Sequence, residues 1–575
     1  MGCMILNTLE DSCATVRKKI FPYGYRTELK ELLRIAWPIA IEGFLEYAIL
    51  SVSLLFCGHL GKESLDGVQL ANTTINVVGF SVIIGLTTAF DTLLSQIFGS
   101  HNKQDLCLIL QKGILIMLLT CIPIFAVFVN TEYLLILVGQ NREVAKLSGQ
   151  YVTIVIAGFP ASVITHALMK YLQCQNIVIP GVLLQLVANV FNVVYHLILV
   201  TGFGFGVRGA AVAVVCTFWT QLFLYSIFIR CSKIYKEEWT GCRKEAFLEW
   251  GTFLNLAIPG IFMISVDWWS FEISVIVVGY LGKVQLAAHS IVYQIHSLPY
   301  MISLGISSAV CIKVGQNVGA GDPIKAQTSS RVGILFGCLS YLFIGTFYLS
   351  MKDIAPKAYT SDSEILHWTS KVMPLLAIFS LFDNTMMVLN GILRGTGHQK
   401  FGGIVTVIAH YIIGIPLLIV FVLYTNLKIA GVWWAFSIVI VIMFILYAAK
   451  TYSLNWENEC KKAQEMTAVN IKDPTDYGGN HSTSCSYTEA KPSDNDYRQL
   501  FEQNKGEPSI LLYKLIICQR CLLFVSLLLI LVASIVMNMI CNHIYRNNPQ
   551  CSVINTMYNM TEYANVSSNG IVCQP

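Results

Sequence analysis

The sequence has little charge. Only 13% of its 575 residues are Asp, Glu, Lys or Arg, and 55% are hydrophobic, whereas a typical soluble domain is about 25% charged. Apolar runs of about 18 residues or more, long enough to cross a bilayer, recur between Leu32 and Asn538. These features exclude a water-soluble enzyme and predict an integral membrane protein.

Other signals are missing as well. The balance of 38 basic and 34 acidic residues gives a net charge of only +4, so we expect no nucleic-acid partner. Neither an HExxH nor a GxSxG motif occurs, and the 18 cysteines lack metal-ligand spacing, with Cys518 and Cys521 as an isolated pair. We therefore expect no enzymatic activity, no metal and no cofactor.

The apolar runs predict an all-α integral membrane protein with 13 transmembrane helices. They lie at 32–58, 67–97, 108–129, 147–169, 178–200, 209–230, 250–279, 286–311, 330–350, 368–391, 402–424, 430–450 and 511–538. Lys and Arg are concentrated in the loops after the even-numbered helices, which predicts an N-terminus in the cytosol.

The predicted organisation has two lobes of six helices and a C-terminal addition. The segments are a cytosolic N-terminus at 1–31, an N-lobe at 32–230, a cytosolic linker at 231–249, a C-lobe at 250–450, a disordered cytosolic loop at 451–510, a thirteenth helix at 511–538 and an extracellular tail at 539–575. The tail carries glycosylation sequons at Asn559 and Asn565, which agrees with an outer location.

An internal repeat of about 221 residues supports the two lobes. The matches pair Ala36-Trp37-Pro38 with Ala257-Ile258-Pro259, Gly58-His59-Leu60-Gly61-Lys62 with Gly279-Tyr280-Leu281-Gly282-Lys283, and Gln96 and Gly99 with Gln316 and Gly319. Because each repeat contains an even number of spans, the lobes insert in parallel, and we expect substrate to bind in a central cavity between them. The helix prolines Pro38, Pro160, Pro259 and Pro374 are predicted bends.

Six carboxylates fall inside the predicted helices, where an ionised acid is costly and usually faces a cavity. They are Glu42, Glu46, Asp91, Asp267, Glu272 and Asp383. No Lys or Arg is predicted at comparable depth. Since low dielectric favours a protonated carboxyl, such a site can hold either a proton or a cation, and competition between the two gives exchange.

The repeat relates two of these acids, because Glu46 plus 221 is the position of Asp267. One hypothesis is that they titrate as a coupled pair across the lobe interface. The alternative for Glu42 and Glu46 is a neutral carboxyl that only hydrogen-bonds between helices. For Asp91 the alternative is a structural contact in the region of Thr92 and Ser95.

Aromatic rings near the acids provide faces that attract ammonium groups. They are Trp268, Trp269, Phe271, Tyr293 and Tyr300. Packed or lipid-facing aromatics are the alternative for each. His289, His296 and His410 are candidate proton relays or packing residues, and Cys57 is interpreted as a packing residue within reach of reagents.

Several motifs together resemble the multidrug and toxin extrusion family, most closely its animal branch. They are Cys57-Gly58-His59-Leu60-Gly61, Asp91-Thr92-Leu93-Leu94-Ser95-Gln96, Asp267-Trp268-Trp269-Ser270-Phe271-Glu272, Val314-Gly315-Gln316-Asn317-Val318-Gly319-Ala320-Gly321 and Gly391-Ile392-Leu393-Arg394-Gly395-Thr396-Gly397. The resemblance implies a proton-coupled antiporter that exports organic cations. In the animal relatives the positions of Asp267 and Asp383 are usually Glu and that of Gln294 is commonly a third Glu; Gln294 cannot titrate.

The expected partners are small organic cations and membrane lipid, with the proton as coupling ion and sodium still open. We expect a monomer in the plasma membrane. Two alternatives remain. A flippase or transporter of another amphipathic solute shares the duplicated architecture, but an anionic substrate would require basic residues in the cavity. A polytopic receptor is the other, although 13 spans and a duplication disfavour it.

Overall fold

A computed structural model describes residues 24–100, 103, 105–232, 234, 241, 243–469, 520 and 523–539. The predicted sequons at Asn559 and Asn565, most of the N-terminal segment and most of the loop at 451–510 lie outside these residues. Their placement stays a prediction.

The described chain is almost entirely helical, which confirms the predicted all-α membrane class. Its helices are α1 (Tyr25–Gly58), α2 (Lys62–Gly99), α3 (Asp105–Val129), α4 (Thr131–Leu137), α5 (Arg142–Val155), α6 (Phe159–Cys174), α7 (Ile179–Gly202), α8 (Gly206–Ser232), α9 (Trp250–Gly279), α10 (Lys283–Gly319), α11 (Pro323–Ser350), α12 (Ser363–Gly395), α13 (Gln399–Leu423), α14 (Ile429–Tyr452), α15 (Trp456–Val469) and α16 (Leu523–Met539). Within the described ranges, 11 helices are long and apolar enough to cross a membrane, or 12 with the bent pair α5 and α6 as one span.

The predicted fourth span is broken rather than continuous. Helices α5 and α6 meet at a bend of 58°. Pro160 lies in the first turn of α6, where its missing N–H costs no helical hydrogen bond, and the Ala157 carbonyl at the break accepts a hydrogen bond from Trp219 Nε1 at 3.1 Å. Pro160 therefore marks a break, as predicted, whereas Pro38 and Pro259 lie within single helices.

The segment after α14 corrects one prediction. Residues 451–510 were expected to be disordered, yet Trp456–Val469 form helix α15. Its Cys460 and Ala463 are only 4% and 1% exposed, because this three-residue spacing places both on one face, which packs on α10 and α11. A short amphipathic stripe inside a polar segment was the missed signal.

Helix α16 lies where the thirteenth span was predicted and packs on α3. Asn538 Nδ2 donates to the Val129 carbonyl at 2.6 Å, and Ser534 Oγ donates to the Ala126 carbonyl at 2.6 Å. The C-terminal end of α16 therefore lies beside the C-terminal end of α3, so the two helices run parallel. This agrees with a thirteenth span, although the count of 13 stays a prediction.

Two groups of helices form the body of the protein: α1–α8, here the first lobe, and α9–α14, the second lobe. The lobes meet through α1 against α10 and α2 against α9. Both crossings use a glycine, since a Cβ at Gly305 would overlap Ala36 and Ala40, and a Cβ at Gly85 would overlap Ile261. We call the end of the bundle at Tyr25 the proximal end and the end at Gly58 the distal end.

Candidate functional site

The first lobe encloses Glu42 in a complete hydrogen-bond shell. Its side chain, 1% exposed, accepts hydrogen bonds from Gln173 Nε2 at 2.7 Å and from the Tyr225 hydroxyl at 2.6 Å. Gly181 makes room for the carboxyl, because any Cβ there would overlap Oε1. The sequence indicated a buried acid here, but not its two partners from α6 and α8.

Glu46 lies one turn further along α1 and meets a histidine. Its Oε1 lies 2.5 Å from His166 Nε2, and its side chain is 31% exposed. His166 Nδ1 donates to the Ser162 carbonyl at 2.8 Å, since that oxygen can only accept. Sequence reasoning missed His166; its four-residue spacing from Lys170, which places both on one face of α6, was the available signal.

In the second lobe Asp267 also meets a histidine. His410 Nε2 lies 3.1 Å from Asp267 Oδ1, and His410 Nδ1 donates to the Thr406 carbonyl at 3.2 Å. His410 belongs to a π-helical stretch, Ile408–Gly414, a distortion frequent at functional sites. Each acid thus has a histidine partner in its own lobe, and the hypothesis that Glu46 and Asp267 titrate as a coupled pair stays a prediction.

Asp383 is a buried carboxylate of the second lobe. It is 5% exposed, and its Oδ2 has no hydrogen-bond partner within the described part of the chain. Asp267 and Tyr300 lie within electrostatic range of it. Neither acid has a lysine or arginine among its described ion-pair partners, so the titratable His410 is the described basic group that contacts this pair of acids.

Aromatic rings surround this second-lobe site. The centroid of the Phe271 ring lies 5.4 Å from that of Tyr293 and 4.7 Å from that of Phe436. Tyr293 is within electrostatic range of both Asp267 and Glu272, the latter being partly buried. The sequence thus placed the rings and acids of α9 and α10 correctly as neighbours.

Two of the predicted site residues instead join the lobes. Trp269 Nε1 donates to the Val77 carbonyl at 2.9 Å. Val77 belongs to the π-helical stretch Ile75–Phe80, and its carbonyl also accepts a hydrogen bond from the Ser81 hydroxyl at 2.6 Å. Gln294 Nε2 donates to the Tyr47 hydroxyl at 2.8 Å, so this non-titrating residue has a positioning contact between α10 and α1.

Asp91 overturns the prediction that no base lies at the depth of the acids. Its two oxygens contact Lys170 Nζ and Arg394 Nη1, each at 2.9 Å, and Asp91 is 2% exposed. Lys170 and Arg394 were assigned to loops, but both lie within helices, α6 and α12. Asp91 is therefore a charge-compensated link between the lobes.

The links around Asp91 form a seal at the proximal end that follows the internal repeat. Gln96 Nε2 donates to the Gly395 carbonyl at 3.0 Å, and Gln316 Nε2 donates to the Cys174 carbonyl at 2.8 Å. Both donors and both acceptors are repeat equivalents, at offsets of 220 and 221. We call these residues, with Gly99, Gly319, Asp91 and Arg394, the proximal seal.

Two glycines let the helices of the proximal seal touch. A Cβ at Gly99 would overlap the Gln316 carbonyl, and a Cβ at Gly319 would overlap the Gln96 carbonyl. In contrast, no hydrogen bond between described residues of the two lobes involves residues 48–76, toward the distal end. The lobes are thus joined chiefly in the proximal half.

The remaining predicted residues have packing contacts. His289 Nε2 lies 2.9 Å from the Ser274 hydroxyl, and His296 Nδ1 lies 3.1 Å from the Tyr348 hydroxyl. Cys57 is completely buried, which supports a packing role and corrects the expectation that reagents reach it. Trp268 lies beside Tyr300 in the second-lobe aromatic group.

A duplicated helical bundle with acids buried inside it, and with the two lobes sealed at one end, is the architecture of a membrane transporter. The MatE family model matches residues 38–198 and 259–420, one match in each repeat. The chain belongs to the multidrug and toxin extrusion (MATE) family and is a multi-pass membrane transporter of that kind.

Similar proteins agree over most of the chain. Multidrug and toxin extrusion protein 1 of Xenopus tropicalis is 38% identical over 447 residues, covering 78% of each chain. Multidrug and toxin extrusion protein 2 of Oryctolagus cuniculus is 36% identical over 465 residues, covering 81% of this chain and 77% of the relative. These relatives are transporters and not enzymes.

Solved structures show the same fold. The crystal structure of the eukaryotic MATE transporter AtDTX14 superposes with a TM-score of 0.74 at 26% identity, covering 77% of this chain and 99% of that one. The Vibrio cholerae MATE transporter VcmN in its bent form has a TM-score of 0.64 at 14% identity, covering 77% and 99%, and shows the fold alone.

Proposed function

We propose that this protein is an antiporter that exports organic cations in exchange for protons. The observation that carries the proposal is the second-lobe site, where Asp267 and Asp383 lie among aromatic rings without a described lysine or arginine partner. A carboxylate held in low dielectric without a fixed counter-ion binds either a proton or a substrate cation. Binding of one displaces the other.

The aromatic rings of the site supply the second half of cation recognition. Ring faces attract ammonium groups by about 0.5–2 kcal/mol, more where water is excluded. Phe271, Tyr293 and Tyr300 lie near the acids and combine apolar area with two hydroxyls. A site of this kind accepts hydrophobic cations of varied shape, because the attraction between a ring face and a cation depends only weakly on the orientation of the cation.

Alternating access requires that the proximal seal open while the distal side closes. We place the N-terminus in the cytosol, so the sealed end faces the cytosol and the structure represents an outward-facing state. Protonation would then neutralise the acids and release the cation outward. Subsequent opening of the proximal seal returns the acids to the cytosolic side, where a new cation displaces the proton.

We further propose that the transporter is a monomer in the plasma membrane, exposed to lipid, with an extracellular tail glycosylated at Asn559 and Asn565. One bundle contains both lobes and the site, so transport needs no second subunit. Replacing both asparagines with Gln should raise gel mobility as much as a glycosidase does. Unchanged mobility would argue against this topology.

The test of coupling is uptake of labelled tetraethylammonium into vesicles of purified protein under an imposed pH gradient, with and without sodium. An acidic vesicle interior should drive uptake, because outward proton flow returns the site in its cation-accepting form. A protonophore should abolish that uptake. Uptake that follows a sodium gradient and ignores the pH gradient would replace the proton with sodium as coupling ion.

A further inference from the structure

Two acids at equivalent places in the repeat each face a buried histidine. Glu46 contacts His166, and Asp267 contacts His410, through the Nε2 atom in both pairs. In both, the Nδ1 atom donates to the carbonyl four residues earlier on its own helix. The two lobes thus present the same arrangement of acid, imidazole and backbone carbonyl.

The histidines themselves are not repeat equivalents. His166 lies in α6, the fourth span of the first lobe, whereas His410 lies in α13, the fifth span of the second lobe. The position 221 residues after His166 is Met387, and the position 221 before His410 is Asn189. Because duplication did not copy the histidines, the shared geometry needs its own explanation, which proton binding provides.

Each pair must hold a proton between its two groups. Since Nδ1 already carries a hydrogen, a neutral imidazole would direct the Nε2 lone pair at a carboxylate oxygen. In the Glu46 pair those atoms are 2.5 Å apart, a close contact without the alignment of a hydrogen bond, and it is repulsive unless one of the two groups carries a proton. An imidazolium facing a carboxylate and a neutral imidazole facing a carboxylic acid hold the same number of protons.

We propose that His166 and His410 are positioning residues of proton coupling, each sharing one exchangeable proton with the acid of its own lobe, so that the protein has an acid–histidine proton site in both lobes. The inference rests on the proposed proton exchange and deepens it. When the proton leaves, the bare carboxylate and the neutral imidazole no longer attract one another, and the helices that carry them are free to separate.

Other titratable groups lie around each pair. Around the first pair they are Glu42 on α1 and Lys170 on α6, with the Phe80 ring of α2 against the imidazole. Around the second pair they are Asp383, Tyr293, His296, Tyr300 and Tyr447. Lys170 near the first pair and a second acid near the other give the two pairs different electrostatic surroundings.

The test counts protons directly. Purified protein in weakly buffered nanodiscs is mixed with tetraethylammonium, and a pH indicator reports protons released per bound cation across a pH series. Wild-type release tests the proposed function, and its complete absence would remove that function whatever the histidines do. Given wild-type release, the variants His166→Gln and Glu46→Gln test the inference.

Both variants should lower proton release near neutral pH by up to one proton per bound cation. They should also move the pH profile of proton release toward acid by about one unit. The double variant should match either single variant, because the two groups act as one site. His289→Gln is the matched control, since this buried histidine contacts Ser274 and no described acid; its release should equal that of wild type. Glu46→Asp should restore release.

A wild-type pH profile of proton release in His166→Gln would overturn the inference. So would a double variant whose loss of release equals the sum of the losses in His166→Gln and Glu46→Gln. Calorimetric binding of tetraethylammonium verifies that each variant is folded. Where His166→Gln fails that check, His166→Asn and Glu46→Gln test the same pair. Proton release in His410→Gln and Asp267→Asn, judged by the same criteria, tests whether the second lobe also has an acid–histidine proton site.

Discussion

The two lobes have one ancestry in sequence but treat their buried acids differently. In the first lobe Glu42 accepts hydrogen bonds from Gln173 and Tyr225 and is closed off from solvent. In the second lobe Asp383 is equally buried, yet one of its oxygens has no described partner. A satisfied carboxyl is held in place, whereas an unsatisfied one is available to a ligand.

The difference assigns different tasks to the lobes. A carboxyl whose two oxygens both accept hydrogen bonds from buried donors is held in one arrangement, and a change in its protonation disturbs those bonds. An acid with a free oxygen beside aromatic rings gains most when a cation enters. The second lobe therefore provides the site where cation and proton exchange, whereas Glu42 of the first lobe is held in place by its hydrogen bonds, and the predictions below test that division.

The largest effect should come from Asp267→Asn, which keeps shape and removes charge at the second-lobe site. We expect proton-driven tetraethylammonium uptake to fall by more than about tenfold, with surface expression unchanged, because an amide cannot exchange a proton for a cation. Glu42→Gln should cost less, since Gln173 and Tyr225 can still hydrogen-bond to the amide. Normal turnover in Asp267→Asn would move the cation site elsewhere.

The matched control for this variant is Asp353→Asn. Asp353 is an exposed acid of the second lobe outside the membrane helices, so its loss tests charge removal without loss of the site. Uptake should stay at the wild-type level. An equal loss in both variants would indicate a general electrostatic effect rather than a site.

The next effect concerns stability. Asp91→Asn leaves Lys170 and Arg394 facing each other without their shared carboxylate, and an uncompensated buried charge costs about 3–5 kcal/mol. Arg394→Gln should be milder, because Asp91 keeps Lys170 as partner. Thermal unfolding in detergent should rank wild type above Arg394→Gln and Arg394→Gln above Asp91→Asn. The reverse order would show that Arg394 supplies the seal without Asp91.

Whether a contact could be predicted from the sequence depends on how far apart in the sequence its two residues lie. The repeat predicted that Gln96 and Gly99 match Gln316 and Gly319, and the structure gives those residues equivalent contacts across the lobes. Neighbours on one helix, such as Asp267 and Phe271, were predictable from helical spacing. Helical spacing relates residues only a few positions apart, and long apolar runs make the helices of a membrane protein easy to recognise in the sequence.

Contacts between distant helices were not predictable in this way. Lys170 seemed to belong to a loop because a charged residue near a span end usually faces water. Only the fold brings it to Asp91, 79 positions away in sequence, and His166 to Glu46, 120 positions away. The same reasoning placed α15 in a disordered loop, because its apolar face has only a few residues.

A smaller effect should follow from a single methyl group in the proximal seal. Gly99→Ala places a Cβ into the Gln316 carbonyl, so the sealed state should become less populated and uptake should fall several-fold. Maleimide labelling of Cys174, which is completely buried beside the seal, should rise when read by mass spectrometry.

Gly251→Ala is the control for that change. A Cβ at Gly251, also within a helix, meets nothing within 4 Å, so uptake and labelling should match wild type. Wild-type uptake and labelling in Gly99→Ala would show that the glycine contact is not needed for closure.

The smallest effect is expected at the edge of the molecule, from loss of α16. Most of its side chains are exposed, and its described hydrogen bonds to the lobes run to Asn130, Ala126 and Val129 at the end of α3. None of these residues belongs to either carboxylate cluster or to the proximal seal. Deletion of residues 511–575 should therefore leave proton-driven uptake per molecule of reconstituted protein within about twofold, because the α16 contacts that it removes are at the end of α3, away from the carboxylates and the proximal seal. The amount that reaches the cell surface is measured separately by biotinylation, since trafficking and transport are different properties. A loss of uptake beyond that range, with normal tetraethylammonium binding, would mean that α16 acts on the movement of the first lobe through α3, and the two-lobe comparison would then need the thirteenth helix as a third part.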